Sequence, residues 1–353
     1  MNIAFVNATR KWGGVKSWTL AFAERLCSFG HDVHIYGRQP AFVEAAVKAV
    51  GHGRQVSFGA DLNPRAIAFF MSEFRRHATD IVCVNVGKDL ATAGIAARIM
   101  GIPVIQRIGL PEDIPYRLKT RLLHRLIRPA FLCPCRFIAE GFTRSLPYIT
   151  PEDVHTVLNG KTATDHTLVA HAPRRLIATQ QLNPDKGHDT LLRALARIVT
   201  PFECHIVGTG SAETRLKELA ASLGIADRVV WHGFRPDVAS LLEQSDIFLL
   251  ASHSEGLPNT LLEGMATGLL PLSRDVGGVG EVIPADLTRW MLPRDADDEA
   301  FAARIEEALN LPAPDLLRLR ERAREACRQT FDLTTCTREL ETWLQHIIDT
   351  RHK

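Results

Sequence analysis

One alternation runs almost the whole length of the chain and constrains it more than any other feature: short apolar runs, each followed by a stretch with helical periodicity. In the first half the runs fall at residues 3–6, 33–36, 55–58, 81–85, 103–107 and 154–158, with helical patterns such as 17–29, 64–77 and 90–100 between them. The second half repeats the scheme with runs at 176–179, 204–207, 229–232, 247–251 and 269–273. Short, continuously apolar runs read as strands buried on both faces. Such strands, separated by helices, build parallel sheets covered on both sides. At 353 residues the chain is too long for one ordinary core. The alternation therefore predicts an α/β protein of two parallel-sheet domains facing a cleft. Residues 1–165 form the first and 166–330 the second, with a break near 161–175. Residues 314–352 read as helical throughout with no strand partner, and 331–353 are expected to pack back on the first domain.

Ligands of open parallel sheets collect at the carboxyl ends of strands. The most chemically loaded of these ends follows the run 247–251 and reads Ser252-His-Ser-Glu-Gly-Leu-Pro-Asn-Thr-Leu-Leu-Glu-Gly-Met-Ala-Thr-Gly268. Pro258 suits the first helical position and Gly268 the stop. The result is a strand, a short loop and a helix N-terminus, where amides and the helix dipole favour phosphate. Glu255 falls in the loop. Glu263 falls one to two turns into the helix, roughly 7–9 Å away at ~1.5 Å per residue. Two carboxylates flanking an anion site suit a ligand with hydroxyls on both sides of its phosphates, and a nucleotide sugar has that shape. Gly13-Gly14, Gly208-Thr-Gly210 and Gly277-Gly278 occupy other strand ends. Each alone is compatible with a purely structural turn; their common placement points to one anionic ligand shared by both domains.

The net charge of +2 conceals a division. Residues 1–150 hold 20 Lys and Arg against 10 Asp and Glu, and the remainder holds 22 against 30. A basic first half points to an anionic partner. No nucleic-acid reader motif or aromatic–basic interleaving is present, so an anionic membrane or a phosphorylated acceptor fits better. Arg117, Arg121, Arg125 and Arg128 share one helical face, with Leu118, Leu122 and Leu126 adjoining and no acid before Arg136. That pattern reads either as the charged face of a core-packed helix or as an interfacial helix on anionic lipid. No apolar run approaches the ~18 residues needed to span a bilayer, and residues 1–6 read as a strand rather than a secretion signal. Seven cysteines without framework spacing suggest reduced thiols in the cytoplasm. Cys133 and Cys135 read as a buried structural pair. The histidines have no metal-ligand spacing. Asp295 and Asp297 have the form of an acidic metal motif but read better as a helix start.

Residues Lys186-Gly-His-Asp189, Ile206-Val-Gly-Thr-Gly210, Asp227-Arg-Val-Val-Trp-His-Gly233, Ser254-Glu-Gly-Leu-Pro258, Leu262-Glu-Gly-Met-Ala266 and Gly277-Gly-Val-Gly-Glu281 follow one another over 96 residues. In order and spacing they resemble the retaining family-4 glycosyltransferases, whose fold is the two-Rossmann B fold and whose signature is the Glu-x7-Glu pair. The first half is a looser match, mainly through Gly13-Gly14 and Lys88-Asp89. The overall look is similar to bacterial enzymes of lipopolysaccharide or other surface-glycan assembly. The resemblance implies a metal-independent hexosyltransferase with no cofactor. Its donor would be a nucleotide-diphosphate sugar, and its acceptor a glycan or lipid-linked molecule at the cytoplasmic face of the inner membrane. Glu263 would take the ribose hydroxyls and Glu255 the transferred sugar. Backbone around Gly256, Leu257, Pro258, Asn259 and Thr260 would hold the diphosphate, Lys186 would neutralise it, and Gly14 would let the first domain's backbone approach it. Lys16 and Asp89 would lie on the acceptor side, although Asp89 reads equally as a cap of the 90–100 helix. First-domain loops 7–16, 88–89 and 109–115 would choose the acceptor.

Two positions depart from the family's pattern. Gln181 stands where an Arg is usual, so the diphosphate would lose one bidentate cation. Arg107 stands where many members carry a His; it would supply positive charge at the reacting centre but cannot act as a base. Either the chain belongs to a subgroup with altered first-domain chemistry or it is a weakened, sugar-nucleotide-binding relative. A dinucleotide-dependent oxidoreductase is the third class. It is disfavoured because Gly208-Thr-Gly210 lacks the third glycine and Gly37-Arg38 stands where an acid would bind ribose.

Overall fold

The computed structural model describes residues 1–10, 12–235 and 237–351. Lys11, inside the expected acceptor loop 7–16, and His352 and Lys353, at the end of the expected last helix, lie outside the described residues. The chain forms two compact units. The first comprises Met1–Gly160 together with the helix Leu333–Arg351, and the second comprises Lys161–Asp332.

The first unit holds a seven-stranded sheet built from β1 (Asn2–Asn7), β2 (Asp32–Gly37), β3 (Gly53–Gln55), β4 (Ile81–Val84), β5 (Val104–Arg107), β6 (Ala130–Cys133) and β7 (Val154–Thr156). Their order is β3-β2-β1-β4-β5-β6-β7, and every pair is parallel. The second unit holds β8 (Arg174–Ala178), β9 (Phe202–Val207), β10 (Val229–Gly233), β11 (Ile247–Leu250), β12 (Leu270–Arg274) and β13 (Met291–Leu292), in the order β10-β9-β8-β11-β12-β13 and again all parallel. Each is a Rossmann-like, doubly wound sheet. Its strand order reverses beside β1 in the first unit and beside β8 in the second, the places where such sheets bind ligands.

Several local readings shift. The strand expected at 55–58 forms at Gly53–Gln55, and β6 was missed. Its four residues lie between Arg128, which adopts a left-handed conformation (φ 54°), and Pro134, too short a run to stand out. The helical segment expected at 90–100 opens with a π-helical turn over Leu90–Gly94. The continuous helix expected over 314–352 is two helices, Ala313–Thr330 and Leu333–Arg351, interrupted at Phe331 and Asp332. Leu333, Cys336, Leu340, Leu344 and Ile348 recur at helical spacing and are buried with Phe5, Trp18, Phe22 and Leu26 of the first unit. A side chain on Gly160 would put its Cβ 2.5 Å from the Leu333 Cα, so the close approach of these two backbones requires glycine there.

Candidate functional site

In the second unit, β11 is buried along its whole length and delivers the chain into the loop that carries Glu255. The following helix spans Asn259–Ala266, and Pro258 stands just before it, in extended conformation at the N-cap, one position earlier than its sequence suggests. Gly256, Leu257 and Pro258 are buried, and Asn259 and Thr260 are half-buried. Helix geometry leaves the first-turn amides without intrahelical partners, and the first amide bonded back into this helix is that of Leu262, to Pro258 O at 3.3 Å. The Glu255 loop is held from behind by Gly277. Its φ is +62°, and a Cβ there would lie 2.0 Å from the Glu255 carbonyl oxygen. The neighbouring Gly278 N–H donates to Gly256 O at 2.6 Å.

Each glutamate is matched by a lysine. Lys186 Nζ lies 3.0 Å from Glu255 Oε1 and 3.4 Å from Asp185 Oδ2, and it also donates to Ser254 O at 3.3 Å. Burial pulls the Lys186 ammonium down, but Glu255 and Asp185 together outweigh it and hold it above its ordinary value, so it stays charged. Lys161 Nζ lies 2.5 Å from Glu263 Oε1, with the two side chains 17% and 33% exposed. Lys161 is a residue the sequence reading missed. It is 102 positions from Glu263, and only the fold brings the two together. Its own backbone is fixed by an N–H to Phe331 O bond of 2.7 Å. Gln181 is exposed and accepts from Asn183 Nδ2 at 3.0 Å. Lys186 and Glu255 thus meet in the segments that follow β8 and β11, where Gln181 and residues 256–260 also lie, and Glu263 stands further along the helix with Lys161. Positive charge lies beside a helix start, and each carboxylate keeps one oxygen outside its lysine pair.

In the first unit the expected residues separate. Gly14 opens the helix Gly14–Ser28 directly after β1, with extended Gly13 as its N-cap. Lys16 and Asp89, expected on the acceptor side, both have side chains turned into the unit, and Asp89 takes the capping role that its sequence equally allowed. Asp89 is fully buried, and its carboxylate receives the amides of Ala8 (2.7 Å), Asn85 (3.1 Å) and Val86 (3.0 Å), pinning the end of β1 to the end of β4. Burial pushes it up to about 7 against those amides and the charge of Lys16. Lys16 is 1% exposed and turns inward to Thr9 O (3.0 Å) and Gln39 Oε1 (2.7 Å). Burial brings its ammonium down to about 8, with the charge of Asp89 opposing. Arg107 ends β5 and is 7% exposed, with its guanidinium 4.4 Å from the ring centre of Trp18 and Nη2 donating to Asn159 Oδ1 at 3.1 Å.

The arginine-rich segment is a helix over Leu118–Ile127 with Arg117 as its N-cap and Arg128 as its left-handed C-cap. Arg117, Arg121, Arg125 and Arg128 are exposed. So are Leu118 (73%), Leu122 (56%) and Leu126 (54%); the leucines do not feed the core, and His124 and Ile127 do. Among the described residues no helix is long and apolar enough to cross a membrane. Cys133 and Cys135 are buried and not disulfide-bonded, and Asp297 caps the helix Asp298–Leu309 by accepting from Ala300 N at 2.9 Å.

Residues 164–329 match the family model described as Glycosyl transferases group 1, and residues 12–161 match Glycosyltransferase Family 4. The putative colanic acid biosynthesis glycosyltransferase WcaL of Escherichia coli K12 is 31% identical over 184 residues, which cover 49% of this chain and 45% of that one. The amylovoran biosynthesis glycosyltransferase AmsK of Erwinia amylovora is 34% identical over 145 residues, covering 38% and 35%. The chain thus spans about half or less of the length of these curated relatives. Among solved structures, a glycosyltransferase from Rickettsia africae ESF-5 superposes with a TM-score of 0.84 at 18% identity, covering 98% of this chain and 99% of that one. Anabaena HepE, solved with UDP and glucose, superposes with a TM-score of 0.82 at 18% identity, covering 98% and 100%. With both Rossmann-like units accounted for by these models and the fold shared end to end, the chain belongs to the group 1 and family 4 glycosyltransferases.

Proposed function

We propose that the protein is a retaining glycosyltransferase that moves a sugar from a nucleotide-diphosphate donor to a glycan or lipid-linked acceptor in bacterial surface-polysaccharide or lipopolysaccharide assembly. The observation that carries this reading is the pairing of Glu255 with Lys186 and of Glu263 with Lys161 around the first turn of the helix Asn259–Ala266. The diphosphate sits on the helix amides and Lys186, Glu255 meets hydroxyls of the transferred sugar, and Glu263 meets the ribose diol. As the glycosidic bond breaks, the departing diphosphate gains negative charge, and an ammonium already fixed by Glu255 and Asp185 stabilises that charge without reorganising. No metal has a part in this scheme, so chelation should leave turnover unchanged. The curated relatives' names, colanic acid and amylovoran biosynthesis, support the surface-polysaccharide setting.

The same reading sets the protein at the cytoplasmic face of the inner membrane, against anionic lipid. Its support is the helix Leu118–Ile127, where exposed leucines at every fourth position lie among exposed arginines. The test of the activity is release of nucleoside diphosphate from a panel of nucleotide sugars with a membrane extract as acceptor. Release with one donor, lost in Lys186→Ala, is expected. No release from any donor by the wild-type protein overturns the enzymatic reading.

A further inference from the structure

Arg107 is a strongly buried cation of the first unit that has no ion-pair partner among the described residues. It stands at the carboxyl end of β5 with 7% of its surface exposed. A guanidinium carries five N–H donors in a rigid fork. Among the described residues one group, Nη2, has a protein acceptor, the neutral side-chain oxygen of Asn159 at 3.1 Å. The face of the guanidinium lies over Trp18 at 4.4 Å. The indole N–H of Trp18, itself 4% exposed, has no acceptor among the described residues either. The nearby carboxylate of Asp113 is already engaged by the amides of Gly109 (2.8 Å) and Leu110 (2.7 Å), and no ion pair joins it to Arg107 among the described residues. Burial draws the guanidinium down to about 10, with Cys133, Asp113 and Cys135 only partly opposing.

Contrast the buried arginine of the second unit. Arg320 spends its donors on Gly268 O, Val169 O, Ser245 O and the carboxylate of Asp246. Removing a charge from water is costly unless it is paired and hydrogen-bonded. Arg320 meets that condition from within its unit and Arg107 does not. The ring of Trp18 and the oxygen of Asn159 orient the fork, and its other donors have no protein acceptor among the described residues. The missing side chain at Gly109 keeps this corner uncrowded: a Cβ there would lie 3.9 Å from Arg107 Nη1 and press to 3.0 Å from Asp113 Oδ2.

We propose that Arg107, oriented by Trp18 and Asn159, is an oxyanion subsite of the first unit, and that the substrate molecule bound there carries a phosphoryl or carboxylate group which the guanidinium grips. This rests on the reading of the chain as a sugar-transfer enzyme and adds a substrate class to it: a charged molecule, either a phosphoryl-bearing lipid-linked acceptor or an acidic sugar. Planar, two-point recognition of an oxyanion is what an arginine fork does and a lysine or histidine does not.

The test is nuclear magnetic resonance on the full-length protein with 15N-labelled arginine and tryptophan, its donor site saturated with a nucleoside diphosphate. Failure of the nucleotide to bind tells against the donor-site reading, and it is scored separately from the titration that follows. The Arg107 side-chain signal is the one lost in Arg107→Lys, and the Trp18 indole signal the one lost in Trp18→Phe. Methyl phosphate and sodium acetate are the probes. Saturable shifts of both signals with methyl phosphate alone support a phosphoryl-bearing partner. Shifts with acetate alone support an acidic sugar, and shifts with both support a fork open to either. In Arg107→Lys, which keeps the charge and the fold but not the fork, the Trp18 response should weaken about tenfold, since charge-assisted two-point bonds are the strong ones. Unchanged signals with both probes, or a Trp18 response in Arg107→Lys equal to wild type, overturn the proposal.

Discussion

Changing Glu263 to Gln removes one charge at the place where the donor's ribose is expected, and the structure lets both consequences be sized. In the free protein the carboxylate is matched by Lys161 at 2.5 Å, with the two side chains 17% and 33% exposed. A pair that remains partly in water contributes about 1 kcal/mol or less, so the variant should fold, with a small drop in melting temperature. The consequence for binding is larger. A carboxylate has about four acceptor sites, and Lys161 takes part of one oxygen, so the other is open to the two ribose hydroxyls. Hydrogen bonds to a charged group are each worth about 1.5–3 kcal/mol. Replacing the carboxylate by an amide that still offers one acceptor should therefore cost about 1–3 kcal/mol, roughly 5- to 150-fold in Kd. The assay is calorimetric titration of wild type and Glu263→Gln with a nucleoside diphosphate and with its 2′,3′-dideoxy analogue. The dideoxy compound should bind both proteins alike, because the lost partner has nothing to bond. If the dideoxy analogue loses as much as the ribonucleotide, Glu263 acts through the charge of Lys161 and not through the diol. Equal ribonucleotide affinity in the two proteins refutes the ribose role outright.

Arg320→Met leaves the fully buried Asp246 without its cation. It should destabilise the second unit by about 3–5 kcal/mol in urea unfolding, and a loss under 1 kcal/mol would show that the amides of His171 and Arg175 suffice for Asp246. Gly277→Ala forces a Cβ to within 2.0 Å of the Glu255 carbonyl oxygen at a φ of +62°; nucleotide affinity should fall with the displaced loop, and a crystal structure of the variant with an unmoved Glu255 would contradict this. His188 is 2% exposed with neither ring nitrogen bonded among the described residues, and burial holds it down at about 4. Its folded value lies below its unfolded one, so its contribution is present above pH ~6.5 and is lost as pH falls toward 4, about 3 kcal/mol over the window. His188→Gln should flatten the acid limb of a stability–pH curve, and an unchanged limb would assign acid sensitivity elsewhere. Replacing Arg121 and Arg125 by Ser should release the protein from anionic vesicles in a salt-dependent manner, and identical sedimentation before and after would remove the helix Leu118–Ile127 from the membrane reading.

The donor side was legible because its parts are local. A buried strand, a Gly-Leu-Pro turn and a helix are written in consecutive residues, and Glu255 and Glu263 inherit their positions from helix geometry. Lys161 was illegible for the opposite reason. It sits in a connecting segment with no periodic pattern, and its partner is reached only when β8 and β11 pair and the helix after β11 settles on them. Lys16 and Asp89 show the same limit from the other side. Polar residues next to a glycine turn resemble ligand contacts in sequence, but the fold needed their side chains to tie β1 to its neighbours. The leucines at 118, 122 and 126 left two readings open in the sequence, since helical spacing says that they share a face and not whether the face is covered; their exposure is a fact of the fold.

The sequence by itself determined the two parallel sheets, the strand ends at which chemistry gathers, and which two glutamates and which lysine are proposed for the donor site. Hydrophobic period and turn residues act over a few positions, and that range suffices for all three. Only the tertiary structure decided which charges are matched. It gave Glu263 to Lys161, enclosed Asp89 among backbone amides, supplied Arg320 with acceptors and left Arg107 with one neutral oxygen and an aromatic face. Burial and pairing are sums over neighbours from distant segments, so the electrostatic state of a residue is fixed only when the chain has closed around it.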